Sequence, residues 1–326
     1  MSTITVSELR DAMYHYLPNV MHIASITKNE LDKKIEKYIK QIVILPSDTV
    51  ITRLHSMFAM VNCAAKGSVY YQDLLSFYDE QANNLHKNIC QGNITWQNKV
   101  KAKLKQSILD ISDDNVANPT NPAFMNYMGE IFYATTIIPR AQEGGYEFLG
   151  FDVLMNNGKD ADLHFRRMDD GMMIYFDNLS IHGVDVSKVN QSEDLYFFLE
   201  KKIVDKCNSK TEGLQKEENG YHINGKVSEF HVAPFLWNET SDMLPYKDAF
   251  QHFQNEENVS GLFVALKPQR LPTGKYHFSI ETVANILLQW QKQECIIIKM
   301  IHKVRAFLDY IFAFTKLKYQ YNLLLI

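Results

Sequence analysis

Residues 158–182, GKDADLHFRRMDDGMMIYFDNLSIH, alternate as two strands joined by the acidic turn MDDG, and they carry Asp162 and Asp177 inside those strands. An unpaired carboxylate costs several kcal/mol to bury, so each needs a partner, a metal ion or a solvent-facing position. Neighbouring antiparallel strands bring such side chains toward one end or one face of a sheet. Upstream, Glu130 stands among Tyr127, Phe132 and Tyr133 in a helical run. Two or three converging carboxylates form a hard-oxygen site suited to Mg²⁺ or Mn²⁺, which activates water and neutralises a phosphoryl group. The plainer alternative puts both strand carboxylates at strand ends, exposed or bonded to turn amides.

The elements that must position these residues follow from periodicity and punctuation. Residues 1–112 read as a helical N-terminal region. TKNELDKKIEKYIKQIVIL opens with a capping box, Thr27 to Glu30, and then spaces Leu31, Ile35, Tyr38, Ile42 and Leu45 along one stripe. Pro46 ends that helix, Ser47 or Asp48 caps a second one through TVITRLHSMFAMVNCAAK, and Gly67 stops it. Met57, Phe58 and Met60 read as core filling rather than ligands. Two further helices are expected over 68–90 and 94–111, and DDNVANPTNP (113–122) reads as a linker.

Over 123–290 the character changes. A helix through AFMNYMGEIFYATTII leads to strands in GYEFLGFDVLM, ADLHFRR and MMIYFDNLSI, a three-stranded meander. A helix in SEDLYFFLEKKIVDKCNSKT, a strand near FHVAPFLW, a short helix near YKDAFQHF, a strand in VSGLFVAL and a helix in SIETVANILLQWQ follow. This mixed order implies an α/β or α+β fold, a central mixed sheet flanked by helices.

Composition narrows the classes. The 326 residues, 46% of them hydrophobic, suffice for one large or two modest domains. Cys63, Cys90, Cys207 and Cys295 lie far apart without a CxxC pair, against a zinc knuckle or a disulfide framework. MSTITVSELRDAMYHYL lacks the regions of a signal peptide, so a cytoplasmic location is expected and the Asn-x-Ser/Thr matches carry no weight. The C-terminal stretch 291–326 is apolar, but Lys299, Lys303, Arg305, Asp309 and Lys316 interrupt it, which favours a docked amphipathic helix over a membrane span. A net charge of -4 does not announce a nucleic-acid binder. Lys99, Lys101, Lys103 and Lys105 beside Trp96 are able to track phosphates, although a solvated helix face is the simpler reading. Phosphate-loop, GxGxxG, GxSxG and HExxH motifs are absent from the sequence. His164 and His182 are the only histidines close to the carboxylate strands, and each reads as structural.

A helix bearing Glu, a meander with Asp in its second strand and an acid in its third, and then a basic helix is an order that resembles the PD-(D/E)XK nucleases. The matching residues are Glu130, Asp162 and Asp177, and the helix with Lys201, Lys202, Lys206 and Lys210 is similar to the basic helix of such enzymes. The resemblance covers about 120–290 and implies a restriction-endonuclease-like core and, if active, Mg²⁺- or Mn²⁺-dependent cleavage of nucleic acid. In that reading Glu130, Asp162 and Asp177 hold the metal from one face of the sheet. The family lysine two residues after the third-strand acid is Leu179 here, and the family proline before the first Asp is Ala161. Leucine supplies neither charge nor a hydrogen bond. Either a lysine has migrated, with Lys159, Lys202 and Lys206 as candidates, or the scaffold no longer cuts and serves as a nucleic-acid- or protein-binding module. A third reading treats the chain as an interaction protein, a homodimer through its C-terminal helix.

Overall fold

The computed structural model describes residues 4–44, 55–111, 123–182, 192–237 and 264–282. The expected linker 113–122, the Pro46, Ser47 and Asp48 punctuation, the short helix near 246–253 and the C-terminal helix 291–326 lie outside the described residues.

Among the described residues six α-helices come first: α1 (Val6–Tyr16), α2 (Pro18–Ala24), α3 (Lys28–Ile44), α4 (Met57–Ala65), α5 (Val69–Asn84) and α6 (Ile94–Leu109). The Thr27 hydroxyl receives the Glu30 N–H at 3.3 Å at the start of α3, and Leu31, Ile35 and Tyr38 are buried along its stripe. Helix α4 starts later than its apolar run suggests. Ser56 has extended backbone and its Oγ accepts from the Ala59 N–H, so it caps the helix, and His55 lies before it. Gly67, at φ 96°, takes the left-handed turn after α4. Met57, Phe58 and Met60 are buried.

Helix α7 (Ala123–Glu143) leads into β1 (Tyr146–Leu154), β2 (Asp160–Arg167) and β3 (Met173–His182), the expected meander. After α8 (Ser192–Thr211) come β4 (Gln215–Glu217), β5 (Gly220–Ile223), β6 (Lys226–Trp237), β7 (Val264–Arg270) and β8 (Tyr276–Thr282). The eight strands among the described residues form one mixed sheet. Its path runs β1-β2-β3-β6-β5-β4, and β7 joins β6 and carries β8. The connection from β3 through α8 returns to a parallel β6 paired along the whole of β3, from Met173–Ser228 to His182–Trp237. Ser279–Thr282, expected to begin a helix, instead pairs with β7, Ile280 opposite Leu266. Phe278 is buried beside it, so sheet pairing and burial override the local helix pattern.

The two faces of the sheet carry separate apolar layers. Ile174, Phe176, Ala233, Phe235 and Trp237 pack with α7 and the N-terminal helices. Tyr175, Val232 and Phe230 pack on the other face with Leu179 and with Ile203 and Cys207 of α8. Phe77 of α5 touches Phe132 of α7 and Phe278 of β8, with ring centroids 5.3 and 6.1 Å apart. The helical N-terminal region and the sheet therefore share one core. Gly129 lets α7 lie close on the sheet: a Cβ there would meet Ser180 Oγ at 2.8 Å and Phe235 at 3.3 Å.

Candidate functional site

Glu130 follows Gly129, so the same close approach of α7 brings its carboxylate against the edge of the meander. Its partner is Lys103 of α6: the ammonium bonds Glu130 Oε2, lies 2.7 Å from Asp152 Oδ1 and 3.9 Å from Asp162 Oδ1. One helix face explains how a lysine arrives there. Trp96, Lys99, Val100, Lys103 and Leu104 recur at helical spacing. Val100 and Leu104 are buried, and Trp96 packs at a tilt against Phe148 with centroids 4.7 Å apart. Docking that face on β1 carries Lys99 and Lys103 inward. The Lys99 ammonium donates to the carbonyls of Phe151 and Asp152, at 2.9 and 2.7 Å. Asp152 has φ 46°, a left-handed conformation that Asp tolerates better than most residues. Lys99 thus fastens the irregular backbone from which Asp152 reaches Lys103.

Asp162 is held from the other side. The β2–β3 ladder runs from Arg166–Met173 to Leu163–Phe176. One step further, Asp162 Oδ2 accepts from the Asn178 N–H at 2.7 Å, so the carboxylate takes a bond that a strand carbonyl would otherwise accept.

Asp177 goes elsewhere. It alternates with Tyr175 and Leu179, which belong to the α8 face, and its fully buried carboxylate meets Lys206 at 2.7 Å and Lys210 at 2.9 Å. Lys210 also bonds the Asp160 carbonyl at 2.7 Å. Glu130 and Asp177 therefore lie on opposite faces of the sheet. This corrects the expectation of one three-carboxylate centre built from Glu130, Asp162 and Asp177. The residue of β3 that borders the Glu130 cluster is Asn178, which shares a small cavity with Lys103, Glu130 and Asp162. Of the lysines considered as replacements for the one missing at Leu179, Lys206 reaches Asp177, and Lys159 turns to Glu212 at 2.9 Å and to the Ser209 carbonyl. Lys202 lies over the Phe198 ring at 5.1 Å. His164 stacks on Tyr175 with centroids 4.2 Å apart.

Electrostatics couple the two clusters through Asp162. Burial, followed by the charge of Asp162, raises the Glu130 carboxyl from 4.5 to about 7, against the pull of Lys103. Burial disfavours the charged Lys103 amine, but Glu130, Asp162 and Asp152 outweigh it and hold its pKa above the ordinary lysine value. Asp177 is pushed up to about 6 by burial and then by Asp162, with Lys206 and Lys210 opposing. The first cluster sets three carboxylates around one ammonium, an excess of negative charge in a half-buried place.

As donors, Glu130, Asp152 and Asp162 are the hard oxygens that Mg²⁺ or Mn²⁺ prefers, and their charge excess suits a cation. They are drawn together here around an ammonium, and among the described residues no group of three His, Cys, Asp or Glu side chains is arranged as metal ligands. Asp152 and Lys103 escape the sequence reading for different reasons. Asp152 sits in a strand-like run where nothing marks the left-handed kink. Lys103 has a visible signal, the recurrence of lysine on the same helix face as Trp96, Val100 and Leu104.

Comparison of the chain with models of known families, with curated proteins and with solved structures finds no match.

Proposed function

We propose that this chain is a divergent nuclease-like protein that hydrolyses nucleic-acid phosphodiesters at a rearranged centre made of Glu130, Asp152, Asp162 and Lys103. The observation that carries the reading is the meeting of one lysine amine with carboxylates from α7, β1 and β2. The run α7-β1-β2-β3-α8, with β6 returning parallel to β3 after the β4 and β5 hairpin, supports it because the PD-(D/E)XK resemblance implies a helix, a three-stranded meander and a following helix. In this reading Asp152 stands in for the third-strand acid, and Lys103, arriving from the N-terminal helices, stands in for the lysine absent at Leu179.

Hydrolysis adds water across a P–O bond: the water oxygen bonds to phosphorus, the leaving oxygen departs, and the proton shed by the water ends on that oxygen. Glu130, Asp152 and Asp162 would hold Mg²⁺ or Mn²⁺, which supplies Lewis-acid stabilisation of a phosphoryl oxygen and a more acidic water. Lys103 contributes positive charge where negative charge grows on the phosphoryl oxygens. The test is cleavage of single- and double-stranded DNA and RNA with Mg²⁺ or Mn²⁺, comparing the wild type with Asp162→Ala and Lys103→Met. Cleavage lost in both variants is the expected result; cleavage equal to wild type in both, or none by the wild type, overturns it.

A second reading rests on a specific observation: Lys103 already partners the carboxylates of the first cluster, and two lysines neutralise Asp177. Such a scaffold, without cleavage, would bind nucleic acid or protein, and a wild type that shifts labelled nucleic acid in a gel without cutting it is the outcome this reading expects.

A further inference from the structure

His55 stands immediately before Ser56, the cap of α4, and is 1% exposed. Neither of its ring nitrogens has a hydrogen-bond partner among the described residues. The imidazole stacks on the Tyr38 ring of α3 with centroids 5.5 Å apart. The Tyr38 hydroxyl is turned to Asn62 of α4, whose side-chain amide donates to it at 3.0 Å. Burial alone lowers the His55 pKa, so no charged group faces the ring among the described residues. Tyr38 is its titratable neighbour; Cys63 of α4 acts on Tyr38, and Asp110, beside Ile111 at the end of α6, acts on Tyr127. A neutral buried group without partners already costs roughly 1–3 kcal/mol. An imidazolium in the same place would be a buried charge with no carboxylate to compensate it, and that costs far more. Protonation and burial therefore exclude each other at this position.

The place of His55 in the chain decides what must move. His164, the other histidine with a pKa lowered chiefly by burial in the sheet, pairs with Gly150 of β1 and Tyr175 of β3, so it gains water only if strands separate. His55 precedes the first turn of α4 and is held by the Tyr38 stack and by the bridge that Ser56 makes with Ile111. Swinging it outward opens that joint and leaves the sheet paired.

We propose that His55 is a proton-sensitive latch: in mild acid its ring takes a proton only by leaving the Tyr38 stack, which opens the joint between α3, the start of α4 and Ile111. The latch acts at the end of the helix that also carries Lys103, but no step of it passes through the carboxylate cluster, so cleavage of nucleic acid or its absence does not bear on it.

Hydrogen–deuterium exchange of the full chain at about pH 7.5 and about pH 5, each amide corrected for its intrinsic exchange rate, reads the opening. An open state whose ring has the ordinary pKa of 6.5 gains population over a closed state that stays neutral, by up to about thirtyfold across this interval. The Ala59 and Met60 amides, both bonded to the Ser56 carbonyl, and the amide of Ile111 report on the joint. In the wild type and in His164→Phe their protection should fall roughly threefold or more, up to that limit. In His55→Phe, which keeps a ring against Tyr38, it should hold. An equal fall in His55→Phe, or none in the wild type, overturns the proposal. If His55→Phe does not fold, the wild type decides alone: a fall at the joint larger than in β2 and β3 supports the latch, and an equal fall throughout, the mark of global unfolding, overturns it.

Discussion

Lys103 Nζ lies 2.7 Å from Asp152 Oδ1, a contact that ties helix α6 of the N-terminal region to the first strand of the meander. The lysine side chain is 13% exposed and the aspartate 25%, so the pair is shielded enough for its loss to matter. Removing one partner of a buried ion pair typically costs about 3–5 kcal/mol, because the other charge is left without compensation. Lys103→Ala should therefore lose stability of that order. The three remaining carboxylates then repel one another, and a divalent cation should relieve them. Thermal melts are expected to show Mg²⁺ raising the Tm of Lys103→Ala well beyond its effect on wild type; equal effects would mean that the carboxylates do not take the ion.

Gly129 offers a test of how α7 is seated. A methyl group there meets Ser180 Oγ at 2.8 Å, so Gly129→Ala should cost about 1–3 kcal/mol through overpacking. Because the nearest obstacle is a hydroxyl oxygen, Ser180→Ala in the same chain should recover part of the loss. A double-mutant cycle by urea unfolding measures the coupling, and strict additivity would place the strain elsewhere.

Asp177 should behave as a structural ion. Asp177→Asn leaves Lys206 and Lys210 facing a neutral group, and a loss of about 3 kcal/mol is expected by denaturant unfolding. Replacing Lys206 with Met in the Asp177→Asn chain should recover part of it, whereas an unchanged loss would mean that the carboxylate acts through other contacts.

Restoring the family lysine at its motif position should fail. Leu179 packs against the α8 layer with Ile203 and Cys207, so Leu179→Lys puts an ammonium into an apolar layer near two others, remote from Glu130. A destabilisation of a few kcal/mol, with no gain in cleavage, is expected from unfolding and activity assays.

The pH dependence of stability has a defined sign at His164. Burial lowers its pKa from 6.5 to about 4, so the folded state keeps the ring neutral while the unfolded chain protonates near the ordinary value. Its contribution is complete above pH 6.5 and is lost as pH falls toward 4. His55, also lowered by burial, acts in the same direction. His164→Phe, which keeps a ring against Tyr175, should flatten the decline of unfolding free energy over that interval, and parallel curves for the two proteins would assign the decline to other groups.

Most of the frame was legible in the sequence because its signals are local. Alternation and turn residues mark β1, β2 and β3; Thr27 and Glu30 mark the start of α3; and the basic run from Ser192 to Thr211 is a helix. The hairpin of β4 and β5 and the last strand β8 were not legible, since short strands gain their stability from pairing with β6 and β7 rather than from their own pattern. At the site, Glu130 and Asp162 are recognisable from position in their elements. The side of β3 facing them is not, because a shift of one residue exchanges Asp177 for Asn178 and sends the acid to the opposite face. Lys103 is not legible as a site residue because a lysine on a helix ordinarily faces water, and only the tertiary docking of Trp96, Val100 and Leu104 on β1 and α7 turns it inward.

The shared core has a practical meaning for anyone dividing this chain. A fragment cut at the composition boundary near 113–122 would keep every element of the meander and the carboxylates that α7 and β2 carry, yet lose Lys99 and Lys103 together. Such a piece would carry Glu130, Asp152 and Asp162 without the ammonium they share and would leave Phe132 and Phe278 without Phe77. The smallest separable unit that retains the centre therefore begins upstream of α5, and the N-terminal helices are part of the site's wiring rather than an appendage to it.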